Sequence, residues 1–196
     1  MNWLAHILLS EPSVENRLGN LLGDLVKGKE IEKLSYNLRI GIDRHHAIDR
    51  FTDNHPITKI SKERIDGEYK RFAGVLIDVF YDHFLATQWI NYSSILLSEF
   101  TSEIYESFQS YKGEIPLSAN ETIQQMIAED WLSSYQHLYG IQNALNRIDN
   151  RIQKHTGRKT NLGQSILILE EKYSSFEKDF KGFFPDLQHY IEKNYS

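Results

Sequence analysis

Apolar residues recur at helical spacing through most of the chain, and nowhere do they alternate as a half-buried strand requires. Residues 3–10 read as a short buried helix that stops near Pro12. Ser13 is placed to cap a second helix over 14–27, whose Val14, Leu18, Leu21, Leu22 and Leu25 keep helical spacing. Gly28 stops it, and residues 29–33 form a polar connection. A third helix carries residues 41–55 and ends before Pro56, because the residue preceding proline avoids the α region. After a short segment, 57–66, comes the most apolar helix, 68–91, in which the run from Gly74 to Leu85 is apolar on nearly every side. An amphipathic helix over 93–111 presents Leu97, Phe100, Ile104 and Phe108. Pro116 breaks the chain, and Ser118-Ala119-Asn120-Glu121 matches a capping box that opens another helix. Residues 133–154 and 163–181 read as two more, and a last short helix, 183–195, follows Pro185. The pattern predicts an all-α fold, a compact bundle of roughly seven to nine helices.

Length and composition narrow this further. With 196 residues the chain suits one domain, 1–196, and its 11 tyrosines and 10 phenylalanines supply core area. The formal net charge of -5 argues against a general nucleic-acid binder, which needs clustered Lys and Arg. There is no cysteine, so disulfides, thiolate metal sites and cysteine nucleophiles are all excluded. The apolar N-terminus is too short to span a bilayer and lacks a basic leader region, which points to a cytoplasmic protein with no membrane partner.

Candidate chemistry concentrates in residues 1–91; residues 92–196 complete the core and offer a docking surface. On the third helix His45, Asp49 and Asp53 follow at i, i+4 and i+8, on the sector that also takes Ile42 and Ile48. Isolated charges on a core-facing stripe are costly, so these groups call for a metal ion or tight partners. Asp78 and Asp82 repeat the i, i+4 arrangement on the most apolar helix, with His83 beside them. A divalent cation removes their mutual repulsion; neutralisation by Arg71 or another basic group is the competing reading. Asn20 and Asp24 form a third such pair on a leucine-rich helix flanked by Gly19 and Gly23, where a neighbour or a phosphate has room to approach. His6 lies inside an apolar run, where a histidine is more often structural than a ligand.

Together these segments describe a His/Asp metal site between helices, with Mn, Mg, Fe or Zn as suitable ions. Glu-x-x-His pairs, a His-Glu-x-x-His helix and a Gly-x-x-x-x-Gly-Lys loop are all missing, which argues against ferritin-like, metalloprotease and P-loop chemistry. Such a site suits phosphate-ester hydrolysis, since the ion lowers the pKa of bound water and offsets charge on phosphoryl oxygens. The run Arg151 to Lys159, with Lys154 and Arg158, holds four formal positive charges and no acid. It reads either as a solvated helix end or as a docking patch for an acidic partner.

The segments Met1-Asn2-Trp3-Leu4-Ala5-His6, Gly19-Asn20-Leu21-Leu22-Gly23-Asp24, Gly41-Ile42-Asp43-Arg44-His45, Ile48-Asp49-Arg50-Phe51-Thr52-Asp53 and Asp78-Val79-Phe80-Tyr81-Asp82-His83-Phe84-Leu85 resemble, in order and spacing, the acyl carrier protein phosphodiesterases (holo-ACP hydrolases). Ile141-Gln142-Asn143-Ala144-Leu145 is also similar. That family is an atypical relative of the HD-domain phosphohydrolases. The resemblance implies an all-α, metal-dependent enzyme, usually with Mn2+, that removes 4′-phosphopantetheine from holo-acyl carrier protein and leaves the apo form. Two features depart from it. Asp82-His83 reverses the His-Asp order of the HD name, and His46 stands where some relatives carry Arg.

The expectation is therefore a metal held by Asp24, Asp78, Asp82 and His83, with His6. His45, Asp49 and Asp53 complete the site as ligand, base or supporting groups. Asn20, Arg44, Arg71, Arg151, Lys154, Arg158 and Lys159 are the candidate substrate contacts. A phosphohydrolase of a small phosphoester or nucleotide, and a non-catalytic helical binding module, are the alternatives.

Overall fold

A computed structural model of the protein describes residues 1–195. Among these there are twelve α-helices and no strand, so the fold is all-α. The helices are α1 (Trp3–Leu8), α2 (Val14–Leu25), α3 (Lys29–Glu32), α4 (Tyr36–Asn54), α5 (Pro56–Glu63), α6 (Ala73–Thr87), α7 (Leu97–Ser110), α8 (Leu117–Ala128), α9 (Trp131–Ser134), α10 (Leu138–Thr156), α11 (Ile166–Glu171) and α12 (Tyr173–Tyr195). The count exceeds the expected bundle because short turns that look like connections in the sequence close into single helical turns, as in α3, which buries nothing.

Local chemistry sets several boundaries. Ser13 caps α2 by accepting from Asn16 N at 3.2 Å, and Ser35 caps α4 through Leu38 N. At the α4–α5 junction His55 is extended (φ -66, ψ 133), Pro56 takes the first helical position, and His55 Nδ1 accepts from Ile57 N. The expected capping box at Ser118 is not used. Helix α8 starts at Leu117, two residues earlier than that cap requires, so Ser118 already lies in its first turn. The expected break at Pro185 is also absent. Helix α12 runs through it, because Phe180, Phe183 and Phe184 before the proline and Leu187 and Ile191 after it are all buried on the same core.

One apolar cluster extends from Met1 to Ile191, with α6 at its centre. Leu76, Ile77, Phe80, Tyr81, Phe84 and Leu85 of α6 are fully buried. Helices α2 and α4 approach at van der Waals distance, since a Cβ on Gly19 would overlap Leu38 O and one on Gly41 would overlap Asn16 O. That contact brings the polar groups of α2 and α4 face to face. No helix among the described residues is long and apolar enough to cross a membrane.

Candidate metal centre

Helix α1 delivers His6 to the interior, and Asp82 of α6 fixes α1 in place. The Asp82 carboxylate accepts from Leu4 N at 2.7 Å and from Ala5 N at 3.4 Å, satisfying amides that the first turn of a helix leaves unbonded. Asp82 is fully buried, and that burial raises its pKa to about 7 against the opposing pull of the N-terminal charge and the two amides.

Asn20 of α2 then decides the tautomer of His6. Its amide nitrogen donates to His6 O and to Ser10 Oγ, both at 2.8 Å, so its oxygen must be the atom 2.8 Å from His6 Nδ1. Nδ1 therefore carries the proton, by the logic of the network. Burial, with His45 adding to it, holds His6 below its ordinary pKa and so neutral. The lone pair of Nε2 consequently faces Asp49 Oδ1 at 3.1 Å and Met1 O at 3.0 Å.

His45 of α4 stacks on His6, ring centroids 4.1 Å apart and planes 18° from parallel. The space for its ring comes from Gly23, where a Cβ would overlap the imidazole. His45 Nε2 lies 3.1 Å from Asp49 Oδ2 and 3.7 Å from Asp24 Oδ1, while its buried Nδ1 has no hydrogen-bond partner. Burial pushes the His45 pKa down, but the Asp49 hydrogen bond and the charges of Asp24 and Asp49 outweigh it, and the net shift is upward. For Asp49, burial is likewise outweighed, by the hydrogen bond from His45 with help from the Met1 ammonium, and its carboxyl sits well below the usual range.

Donor atoms of His6, His45 and Asp49 lie within 4.8 Å of one another. Two imidazoles and a carboxylate this close are a donor set that fits a divalent transition metal with open positions. Asp24, on the rim, has its other oxygen held by Trp3 Nε1 at 2.8 Å. Asp78 accepts from the buried Met1 ammonium at 2.7 Å, and that ammonium also reaches Asp49 at 3.4 Å. Its pKa stands at about 10, because Asp78 and Asp49 together outweigh burial.

The remaining expected site residues lie elsewhere. Both ring nitrogens of His83 are engaged away from the cluster, Nδ1 with Tyr135 O at 2.8 Å and Nε2 with Tyr173 Oη at 3.1 Å. Asp53 is exposed and pairs with Lys62 at 2.7 Å. The buried Arg44 holds Leu9 O, Glu11 and Tyr195 O, and Arg71 lies over the Phe72 ring. Arg151, Lys154, Arg158 and Lys159 are exposed along the end of α10 and the loop after it. That loop is anchored by buried Asp149, which accepts from Thr160 N and Asn161 N. Two contributors give no metal-site signal in the sequence, Trp3 with its bond to Asp24 and the Met1 ammonium. Asn20 was visible as a polar residue on a leucine-rich helix, but its control of His6 depends on a contact 14 positions away.

Residues 1–187 match the sequence model of the family described as acyl carrier protein phosphodiesterase. The chain belongs to the acyl carrier protein phosphodiesterase family. It is similar to the acyl carrier protein phosphodiesterases of Escherichia coli O157:H7 and Escherichia coli O6:H1, 32% identical over 186 residues that cover 94% of this chain and 94% of each relative. No solved structure matches. In this member of the acyl carrier protein phosphodiesterase family the matched region includes α1, α2, α4 and α6, the four helices that supply and hold the His6, His45 and Asp49 cluster.

Proposed function

We propose that the chain hydrolyses the phosphodiester that joins 4′-phosphopantetheine to a serine of acyl carrier protein, releasing apo-carrier. The convergence of His6, His45 and Asp49 carries this reading, within a chain that belongs to a phosphodiesterase family along nearly its whole length. These three residues hold a divalent ion, with manganese the first candidate. Such an ion brings Lewis acidity, which offsets charge on phosphoryl oxygens and lowers the pKa of water. Asn20 keeps the His6 lone pair on Nε2 and Asp82 keeps α1 in register, so both act as positioning residues. Asp24 is solvent-accessible, oriented by Trp3 and adjacent to His45, and takes the proton from the attacking water. The water oxygen bonds to phosphorus, the bond from phosphorus to the serine oxygen breaks, and that oxygen takes a proton from solvent water while Asp24 returns its own to solvent. Arg151, Lys154, Arg158 and Lys159 form the exposed basic edge that meets the acidic carrier.

The test is to incubate purified protein with holo-carrier and manganese, magnesium, iron or zinc, and to follow the carrier's mass. Loss of the phosphopantetheine mass is expected with at least one ion and not after chelation. An unchanged carrier mass with every ion overturns the proposal.

A further inference from the structure

A cleft of about 390 Å³ opens between Trp3 of α1 and helices α8, α9 and α10. Its size is that of a small-ligand site. One side is formed by Trp3 and Trp131, stacked with centroids 5.6 Å apart and planes within 23°. The Arg147 guanidinium lies over Trp131, its carbon 3.8 Å from the ring centroid. Trp131 therefore fixes the guanidinium, and one of its terminal nitrogens is buried without a hydrogen-bond partner. An unbonded buried donor in a cleft wall is costly until a ligand acceptor meets it. Thr122 of α8 and Asn150 of α10 add polar edges.

Two contacts tie this cleft to the rest of the reaction. At one end, Trp3 donates to Asp24, so the cleft wall is bonded to the rim of the metal cluster. At the other, Arg151 and Lys154 line the mouth, one and two turns beyond Arg147 on α10, and lead into the exposed basic edge. The cleft thus lies between the groups that attack phosphorus and the surface that meets the carrier.

We infer that this cleft binds the pantetheine arm of the substrate, with its methyl-bearing end against Trp3 and Trp131 and an amide carbonyl accepting from Arg147. The inference rests on the phosphodiesterase reading above and adds the subsite for the arm that stays on the phosphorus. The chemistry of the arm matches the walls. It is uncharged beyond its phosphate, carries a pair of methyl groups next to a hydroxyl, and continues through two amides. A partly apolar wall with a few fixed donors suits such a chain, whereas a greasy tunnel or a purely cationic pocket does not.

The experiment uses free pantetheine, the arm without its phosphate, on the manganese-loaded protein, read by calorimetry and by inhibition of holo-carrier hydrolysis. Wild-type protein is expected to bind it and to be inhibited competitively. Arg147→Met is expected to weaken pantetheine and to raise KM for holo-carrier by about tenfold or more, the loss expected for a hydrogen bond to a charged group. Thr122→Trp fills the cleft from α8 and leaves Arg147 and Trp131 unsubstituted, and gives the same result if Arg147→Met does not fold. Pantetheine that neither binds nor inhibits, or that acts equally on wild type and both variants, overturns the inference even where holo-carrier is hydrolysed. Pantetheine binding that the variants abolish, in a protein that leaves holo-carrier intact with every ion, supports the cleft and overturns the phosphodiesterase reading alone.

Discussion

The side-chain oxygen of Asn20 stands 2.8 Å from Nδ1 of His6, and the same amide donates to the His6 carbonyl. One residue therefore sets both the tautomer and the backbone position of a proposed ligand. Asn20→Leu keeps the volume and removes both effects. We expect the affinity for manganese to fall by roughly 10–100-fold, the usual cost of losing a group that orients a ligand. Competition against a metal-sensitive dye measures it, and unchanged affinity would show that His6 does not bind the ion.

Glycine at position 23 makes room for the His45 ring, and a methyl group there would overlap it. We expect Gly23→Ala to displace the imidazole and lower hydrolysis on the order of 100-fold, since small misplacements at a reacting centre cost that much. Gly74 of α6 is the control. A Cβ there meets only the tip of Lys62 at 3.7 Å, so Gly74→Ala should raise stability by about 1 kcal/mol and leave turnover unchanged. Equal turnover in the two variants would refute the role given to Gly23.

Stability should carry the signature of Asp82. Its pKa is about 7 in the folded protein, against an ordinary value of 3.8. Between those values the folded state holds the proton that the unfolded chain has released. The stabilising contribution is thus complete below the lower value, declines as pH rises through the window, and is gone above the upper one. Asp82→Asn cannot titrate. Its melting temperature relative to wild type should rise from pH 4 to pH 8 when both are measured with chelator present. A difference that is flat with pH would count against a protonated Asp82.

Arg44 is buried beneath three acceptors, so its removal should act on stability and not on substrate binding. Arg44→Met leaves Leu9 O and Glu11 without their cation, at a cost of about 3 kcal/mol. Denaturant unfolding reads this directly. A KM for holo-carrier that rises while stability is preserved would return Arg44 to the substrate surface.

Ion binding should also appear as stability, because only the folded chain brings His6, His45 and Asp49 together. Manganese at about a hundred times its dissociation constant should add about 2.7 kcal/mol, and chelation should remove it. Melting curves that ignore both would argue against a metal at this cluster.

Much of the fold is legible in the residue pattern, because burial of a helix face requires apolar side chains at fixed spacing. Val14, Leu18, Leu21, Leu22 and Leu25 mark α2, and the unbroken apolar run marks α6 as central. Proline is read correctly at Pro56, where the chain turns, and incorrectly at Pro185, where packing on both sides carries the helix through. The stripe of His45 and Asp49 is visible in the spacing. What separates Asp49 from Asp78 and Asp82 is not. All three are aspartates on apolar faces, and their surroundings come from Met1, Leu4, Ala5 and His6, residues 43 to 78 positions distant. His83 is similar. Its partners Tyr135 and Tyr173 lie in the other half of the chain.

The clasp of Asp82 on the backbone of α1 has a consequence for synthesis. His6, His45 and Asp49 all lie in the first quarter of the chain, whereas the carboxylate that seats α1 follows 78 positions after Leu4. A nascent chain thus exposes its three donors to the cell before it has made the part that arranges them. Capture of the proposed ion would then be a late event, waiting on the emergence of α6 and on closure of a long loop.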